Sequence, residues 1–116
     1  ENDFREIQDD PDVFAGTLSR IRIEDRFAEG LFRLDMYRKL YIIFVFHMVE
    51  GYRLVIHPRG DLTRPQRGVF ATRAPYRPNP IGLALVELVS VEGGTLTVRD
   101  LDAIDGTPVL DIKPCD

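Results

Sequence analysis

The stretch that most constrains how this chain can fold is its longest apolar run, Leu40–Val49. Tyr41, Ile42, Ile43, Phe44, Val45 and Phe46 are all β-branched or aromatic, which favours extended backbone. No face of that run is polar, so it predicts a strand over residues 40–49 that is covered on both sides. A strand of this kind needs a sheet around it. The run is about half of the roughly 20 apolar residues that a bilayer-spanning helix requires, and it contains His47, so a membrane span is not expected.

The rest of the sequence supplies the neighbours. Alternation and turn signals recur at short intervals, which favours an antiparallel sandwich or barrel over a βαβ array. Residues 18–23 alternate Leu18, Arg20 and Arg22 with Ser19, Ile21 and Ile23, a strand with one apolar face. Asp25 is placed to cap a short helix carrying Phe27, Leu31 and Leu34, weakened by Gly30. Residues 52–56 read as a strand, 58–67 as a Pro/Gly/Arg-rich loop, and 68–72 as a short apolar piece. Between Arg73 and Pro80 three prolines, Pro75, Pro78 and Pro80, exclude helix and central strand. Residues 82–91 and 96–101 flank Glu92-Gly93-Gly94-Thr95 as a hairpin, and a last strand, 109–112, follows the turn at Asp105-Gly106-Thr107-Pro108.

A chain of 116 residues that is 44% hydrophobic can bury one core and is expected to be one domain. Its formal charge of −4 is unevenly spread. Residues 1–14 hold six acids and one base, whereas residues 53–77 hold six arginines (Arg53, Arg59, Arg64, Arg67, Arg73 and Arg77) and the single acid Asp61. Arginine in such excess suits planar, bidentate contact to phosphate or carboxylate, although a solvated loop face has the same composition. The acidic start lacks the apolar stretch of a secretory signal. The lone cysteine, Cys115, cannot form an internal disulfide, so a reduced, cytoplasmic setting is expected. Two histidines and one cysteine lack the spacing of a zinc or iron site, so no such metal is expected, while counting leaves carboxylate-bound Mg²⁺ open.

Chemistry must then be sought in the irregular segments. No glycine-rich dinucleotide fingerprint, phosphate loop or nucleophile elbow occurs. Residues 73–80 hold Arg73, Tyr76, Arg77 and Asn79 on a proline-stiffened backbone, which suits binding, while solvated arginines on a connection account for it equally well. In residues 100–108, Asp100, Asp102 and Asp105 could receive hydroxyls, an amine or a proton; a plain turn and strand end is the alternative. His47 stands where the apolar strand ends, at a pocket rim or as a structural histidine. His57 reads as loop.

Read without a break, residues 68–83, Gly-Val-Phe-Ala-Thr-Arg-Ala-Pro-Tyr-Arg-Pro-Asn-Pro-Ile-Gly-Leu, closely resemble the signature of the TrmO-like (YaeB-like) methyltransferases, which modify N6 of threonylcarbamoyladenosine in tRNA. Residues 101–114, Leu-Asp-Ala-Ile-Asp-Gly-Thr-Pro-Val-Leu-Asp-Ile-Lys-Pro, are a second match. The apolar strand ending Phe46-His47 and Pro58-Arg59-Gly60 extend the likeness over roughly residues 18–114.

This resemblance implies an all-β fold with one short helix: a small antiparallel β-barrel that binds S-adenosylmethionine without a Rossmann domain, usually as a homodimer. The barrel domain would run over 18–116, with 1–17 an acidic segment that matches the family poorly. His47 and Met48 would form one wall of the S-adenosylmethionine site, Arg73 and Leu83 another, and Asp105, Gly106, Thr107, Pro108, Val109 and Leu110 a third. Tyr76, Arg77 and Asn79 become candidates for substrate contact, with Arg59, Arg64 and Arg67 holding phosphates of the tRNA anticodon arm. The acceptor nitrogen is a poor nucleophile, so in-line positioning and a base are needed; Asp105, Asp102 and His47 are the unranked candidates. A small-molecule methyltransferase on the same scaffold, and an RNA-binding module without a cofactor, are the rival readings.

Overall fold

The computed structural model describes residues 16–57 and 61–115, and among these residues the chain forms seven strands. The principal sheet contains β1 (Leu18–Arg22), β2 (Lys39–Val45), β5 (Ile81–Glu92), β6 (Thr95–Arg99) and β7 (Val109–Cys115). Their spatial order is β1-β6-β5-β2-β7, and every pairing is antiparallel. The apolar run is therefore flanked on both edges, by β5 and β7, as its composition demands. β3 (Val55–Ile56) and β4 (Arg67–Gly68) pair separately.

The sheet is all-antiparallel and carries only short helical turns, but it is not the closed barrel expected. Among the described residues β1 and β7 stand at opposite edges and do not pair. Closure needs those two strands in register, a contact between positions some ninety residues apart that local alternation does not encode. The helix expected after Asp25 is also different: Asp25–Leu31 and Leu34–Met36 are 3₁₀ turns, and no side chain caps the first of them. Leu31 and Leu34 still pack on the core, while Phe27 is exposed. The strand expected over 52–56 shortens to Val55–Ile56, and the acidic segment 1–17 falls almost wholly outside the described residues.

The core lies on one face. Leu40, Ile42 and Phe44 of β2 meet Ala84 and Val86 of β5, Leu96 and Val98 of β6, and Ile21 of β1. Gly82 leaves room for aromatic rings there: a Cβ at this position would stand 2.5 Å from Phe44 Cζ and 2.9 Å from Phe46 Cζ. These two rings meet edge to face, 5.3 Å between centroids. The opposite face keeps an apolar stripe, with Ile81, Leu83, Leu85 and Val89 of β5 all exposed. Ile56, Val69, Ala74 and Pro75 are buried under the arginine-rich loops, outside the main core cluster. No helix among the described residues is long and apolar enough to cross a membrane.

Candidate functional site

The end of β2 is where the separated candidate segments meet. The Val45 N–H donates to the Pro108 carbonyl at 3.0 Å, and the next amide, Phe46 N–H, donates to the Pro80 carbonyl at 2.8 Å. Successive amides of a strand point to opposite edges, so two consecutive donors clamp one loop on each side. Loop 73–80 is thereby held against one edge of β2 and loop 101–108 against the other. His47 and Met48 emerge between them, both exposed. Leu83 lies opposite Ile43 in the β2–β5 ladder, with its side chain on the open face.

The third wall is a turn. Thr107 N–H donates to the Ile104 carbonyl at 3.2 Å, and Gly106 adopts φ +83°, a conformation suited to glycine inside a tight reversal. The Thr107 hydroxyl donates to the same carbonyl. Asp105 and Leu110 are exposed, and a bulge between Ile43 and Phe44 shifts the register where Val109 joins β2. Asp105–Leu110 also borders a groove of about 1430 Å³ between β1 and β7, lined by Ile21, Leu31, Leu34, Ile42 and Phe44. His47, Met48, Arg73 and Leu83 are not part of that groove's lining.

The charges of the site are arranged around Arg73. Asp102 is half-buried, and burial pushes its carboxyl above the ordinary value, with its own backbone amide and the Arg73 guanidinium pulling it partly back. Its Oδ1 is enclosed and has no hydrogen-bond partner among the described residues. Tyr41, which sequence reasoning did not single out, feels the same guanidinium; contact with Cys115 raises its hydroxyl pKa, and Arg73 opposes that rise. One cation thus acts on both groups.

The remaining expected residues are placed less uniformly. Arg64 is exposed, 3.5 Å from Asp61, and its carbonyl lies 2.9 Å from His57 Nδ1. Arg67 is exposed on β4, and Arg59 lies outside the described residues. Asn79 is exposed, whereas Tyr76 is half-buried, and its carbonyl accepts from Arg53 N–H at 3.2 Å. Arg77 is turned inward: its Nη1 donates to the carbonyls of Val69, Thr72 and Ala74. That engagement has no side-chain partner that a sequence motif could advertise. The open apolar stripe on β5 was not legible: Ile81, Leu83 and Leu85 are apolar on one parity and Gly82, Ala84 and Val86 on the other, which is the pattern of a strand covered on both faces.

A family model described as the tRNA-methyltransferase O N-terminal domain matches residues 2–115. A "Probable S-adenosyl-L-methionine-binding protein" of Methanothermobacter thermautotrophicus is 45% identical over 101 residues, covering 87% of this chain and 72% of that protein. The "tRNA (adenine(37)-N6)-methyltransferase" of Escherichia coli is 44% identical over 93 residues, covering 75% of this chain and 40% of the relative. The crystal structure of TrmO from Pseudomonas aeruginosa superposes with a TM-score of 0.73 at 32% identity, over 99% of this chain and 49% of that one. The chain therefore spans about half the length of the solved structure it matches.

Proposed function

Because the chain belongs to the tRNA-methyltransferase O N-terminal domain family, we propose that it binds S-adenosylmethionine at the end of β2 and carries its methyl group to N6 of an adenosine in tRNA. The single observation that supports this most is the pair of hydrogen bonds from Val45 and Phe46, which draws the His47, Arg73–Pro80 and Asp105–Leu110 segments to one place. The substrate is the adenosine at position 37, in the anticodon arm, and a threonylcarbamoyl group on it is part of the same reading.

The residues present suit the cofactor. Arg73 offers an exposed cation for a carboxylate, and Asp105 an exposed carboxylate for an ammonium or ribose hydroxyls. The enclosed Oδ1 of Asp102, without a partner among the described residues, is an acceptor awaiting a donor. Leu83, Met48 and Leu110 are exposed apolar surface for an uncharged ring or methylene. S-adenosylmethionine supplies an electrophilic methyl, and the chain supplies orientation and a place for the acceptor's proton. Among the three candidate bases Asp102 is favoured, since a carboxylate made harder to keep ionised holds a proton better than an ordinary one.

The same reading makes the protein a homodimer. The stripe of Ile81, Leu83, Leu85 and Val89, each 43–47% exposed, is apolar surface that a second copy would remove from water. Leu83, read as part of the cofactor wall, belongs to this stripe too, which supports an interface beside the pocket. Sedimentation at tens of micromolar (an order of magnitude for weak association) is expected to give a dimer, and a monomer there would contradict it.

Thermal unfolding with and without S-adenosylmethionine tests the assignment. A ligand at 100 times its dissociation constant adds about 2.7 kcal/mol to stability, so the melting temperature is expected to rise by roughly ten degrees. An RNA-binding module with no cofactor would show no rise.

A further inference from the structure

Thr72 and Ala74 flank Arg73, and both of their carbonyls are held by one side chain. Arg77 Nη1 lies 2.7 Å from the Thr72 oxygen and 3.3 Å from the Ala74 oxygen, and 3.0 Å from the Val69 oxygen. The Thr72 hydroxyl ties the same turn from within: it donates to the Val69 carbonyl at 2.8 Å and accepts from Ala74 N–H at 3.2 Å. Ala74 and Pro75 are fully buried, so the backbone on the C-terminal side of Arg73 is fixed by packing as well. Phe70 covers the guanidinium, its ring centroid 5.9 Å from Cζ.

Arg73 itself is exposed. An exposed arginine ordinarily samples many rotamers from a mobile backbone, and ordering it on binding weakens affinity. Here the peptide units on both sides of it are pinned before any ligand arrives. All three carbonyls meet one guanidinium nitrogen, Nη1, whose two N–H groups are shared among them; a lysine ammonium ends one atom closer to the backbone on a flexible stem and does not reach the same point.

We propose that Arg77 is a positioning residue for Arg73: by holding the Thr72 and Ala74 carbonyls it sets the direction from which Arg73 meets its anionic ligand, and it is not itself a contact to RNA phosphate. This rests on the reading of Arg73 as a cofactor contact, so the test carries both claims separately. Affinity for S-adenosylmethionine is measured by calorimetry for the wild type, Arg73→Ala, Arg77→Lys and the double variant, with circular dichroism checking that each is folded. Arg73→Ala is expected to weaken binding at least tenfold, which tests the cofactor reading alone.

Arg77→Lys keeps the charge and is expected to weaken binding about tenfold in the wild-type background, and not at all in the Arg73→Ala background. A merely structural role predicts equal loss in both backgrounds and overturns the proposal. So does Arg77→Lys binding S-adenosylmethionine as tightly as the wild type. Thr72→Val, which removes the hydroxyl bridge without touching any charge, is a second route to the same answer. It is expected to weaken binding only where Arg73 is present, and equal loss in both backgrounds counts against the proposal. Arg77→Ala is expected to leave the salt slope of tRNA binding unchanged; a slope shallower by about 1 would make Arg77 a phosphate contact and overturn the proposal.

Discussion

Asp102 combines two properties that a surface carboxylate lacks: one enclosed oxygen without a hydrogen-bond partner among the described residues, and a pKa raised by burial. The folded protein therefore binds a proton at Asp102 more readily than the unfolded chain does. The ionised form costs stability at neutral pH, and that cost disappears as pH falls through the raised pKa toward the ordinary value of 3.8. Asp102→Asn is expected to melt at or slightly above the wild-type temperature at pH 7, with the gap closing by about pH 4, as read by calorimetric scans. Methyl transfer should nevertheless fall by at least a hundredfold, roughly the size of a general-base contribution. A variant that is less stable at pH 7, or fully active, would remove Asp102 from the role of base. The enclosed oxygen could not be read from sequence, where Asp100, Asp102 and Asp105 look alike; in the fold Asp100 accepts from Gly16 N–H, Asp105 is exposed, and Asp102 has the enclosed oxygen.

Strands β2 and β5 are joined by a contact that a single methyl group would break. The Gly82 Cα faces the tips of Phe44 and Phe46, and both rings are buried and wedged against each other, so neither can swing aside. Gly82→Ala is expected to destabilise the fold by about 1–3 kcal/mol, the usual penalty of overpacking, measured as a lower denaturation midpoint with an unchanged slope. No loss would mean that the rings have room to move. Most strands were visible in advance, because period-2 alternation and the Gly93-Gly94 turn are local signals, and both glycines do take positive φ. The turns after Asp25 were not. Phe27, Leu31 and Leu34 have helical spacing, yet only Leu31 and Leu34 find core to cover, and a 3₁₀ path serves two contacts as well as an α-helix would.

For the whole molecule, the governing fact is that charge and apolar surface are sorted by region: arginines over residues 53–77, an open apolar stripe on β5, and carboxylates on the 100–111 arm. The arginines and carboxylates were legible as composition, whereas the open stripe and the lack of pairing between β1 and β7 among the described residues were not, since closure depends on the distance between strands far apart in the chain. If the exposed Arg64 and Arg67 hold phosphates, replacing both by alanine should lower tRNA affinity and make its salt slope shallower by up to about 2, with S-adenosylmethionine affinity nearly unchanged. Asp105→Asn should instead reduce methyl transfer and leave the tRNA salt slope in place. Equal loss of tRNA binding in both variants would mean one undivided site.

The most direct measurement is transfer of labelled methyl from S-adenosylmethionine to total tRNA, followed by nucleoside digestion and mass spectrometry, beside a parallel incubation with a metabolite extract. Label in an N6-methylated adenosine derivative from tRNA, absent from the metabolites and lost in Arg73→Ala, is the predicted result. Label only among the metabolites, or tRNA methylation undiminished in Arg73→Ala, would contradict the account.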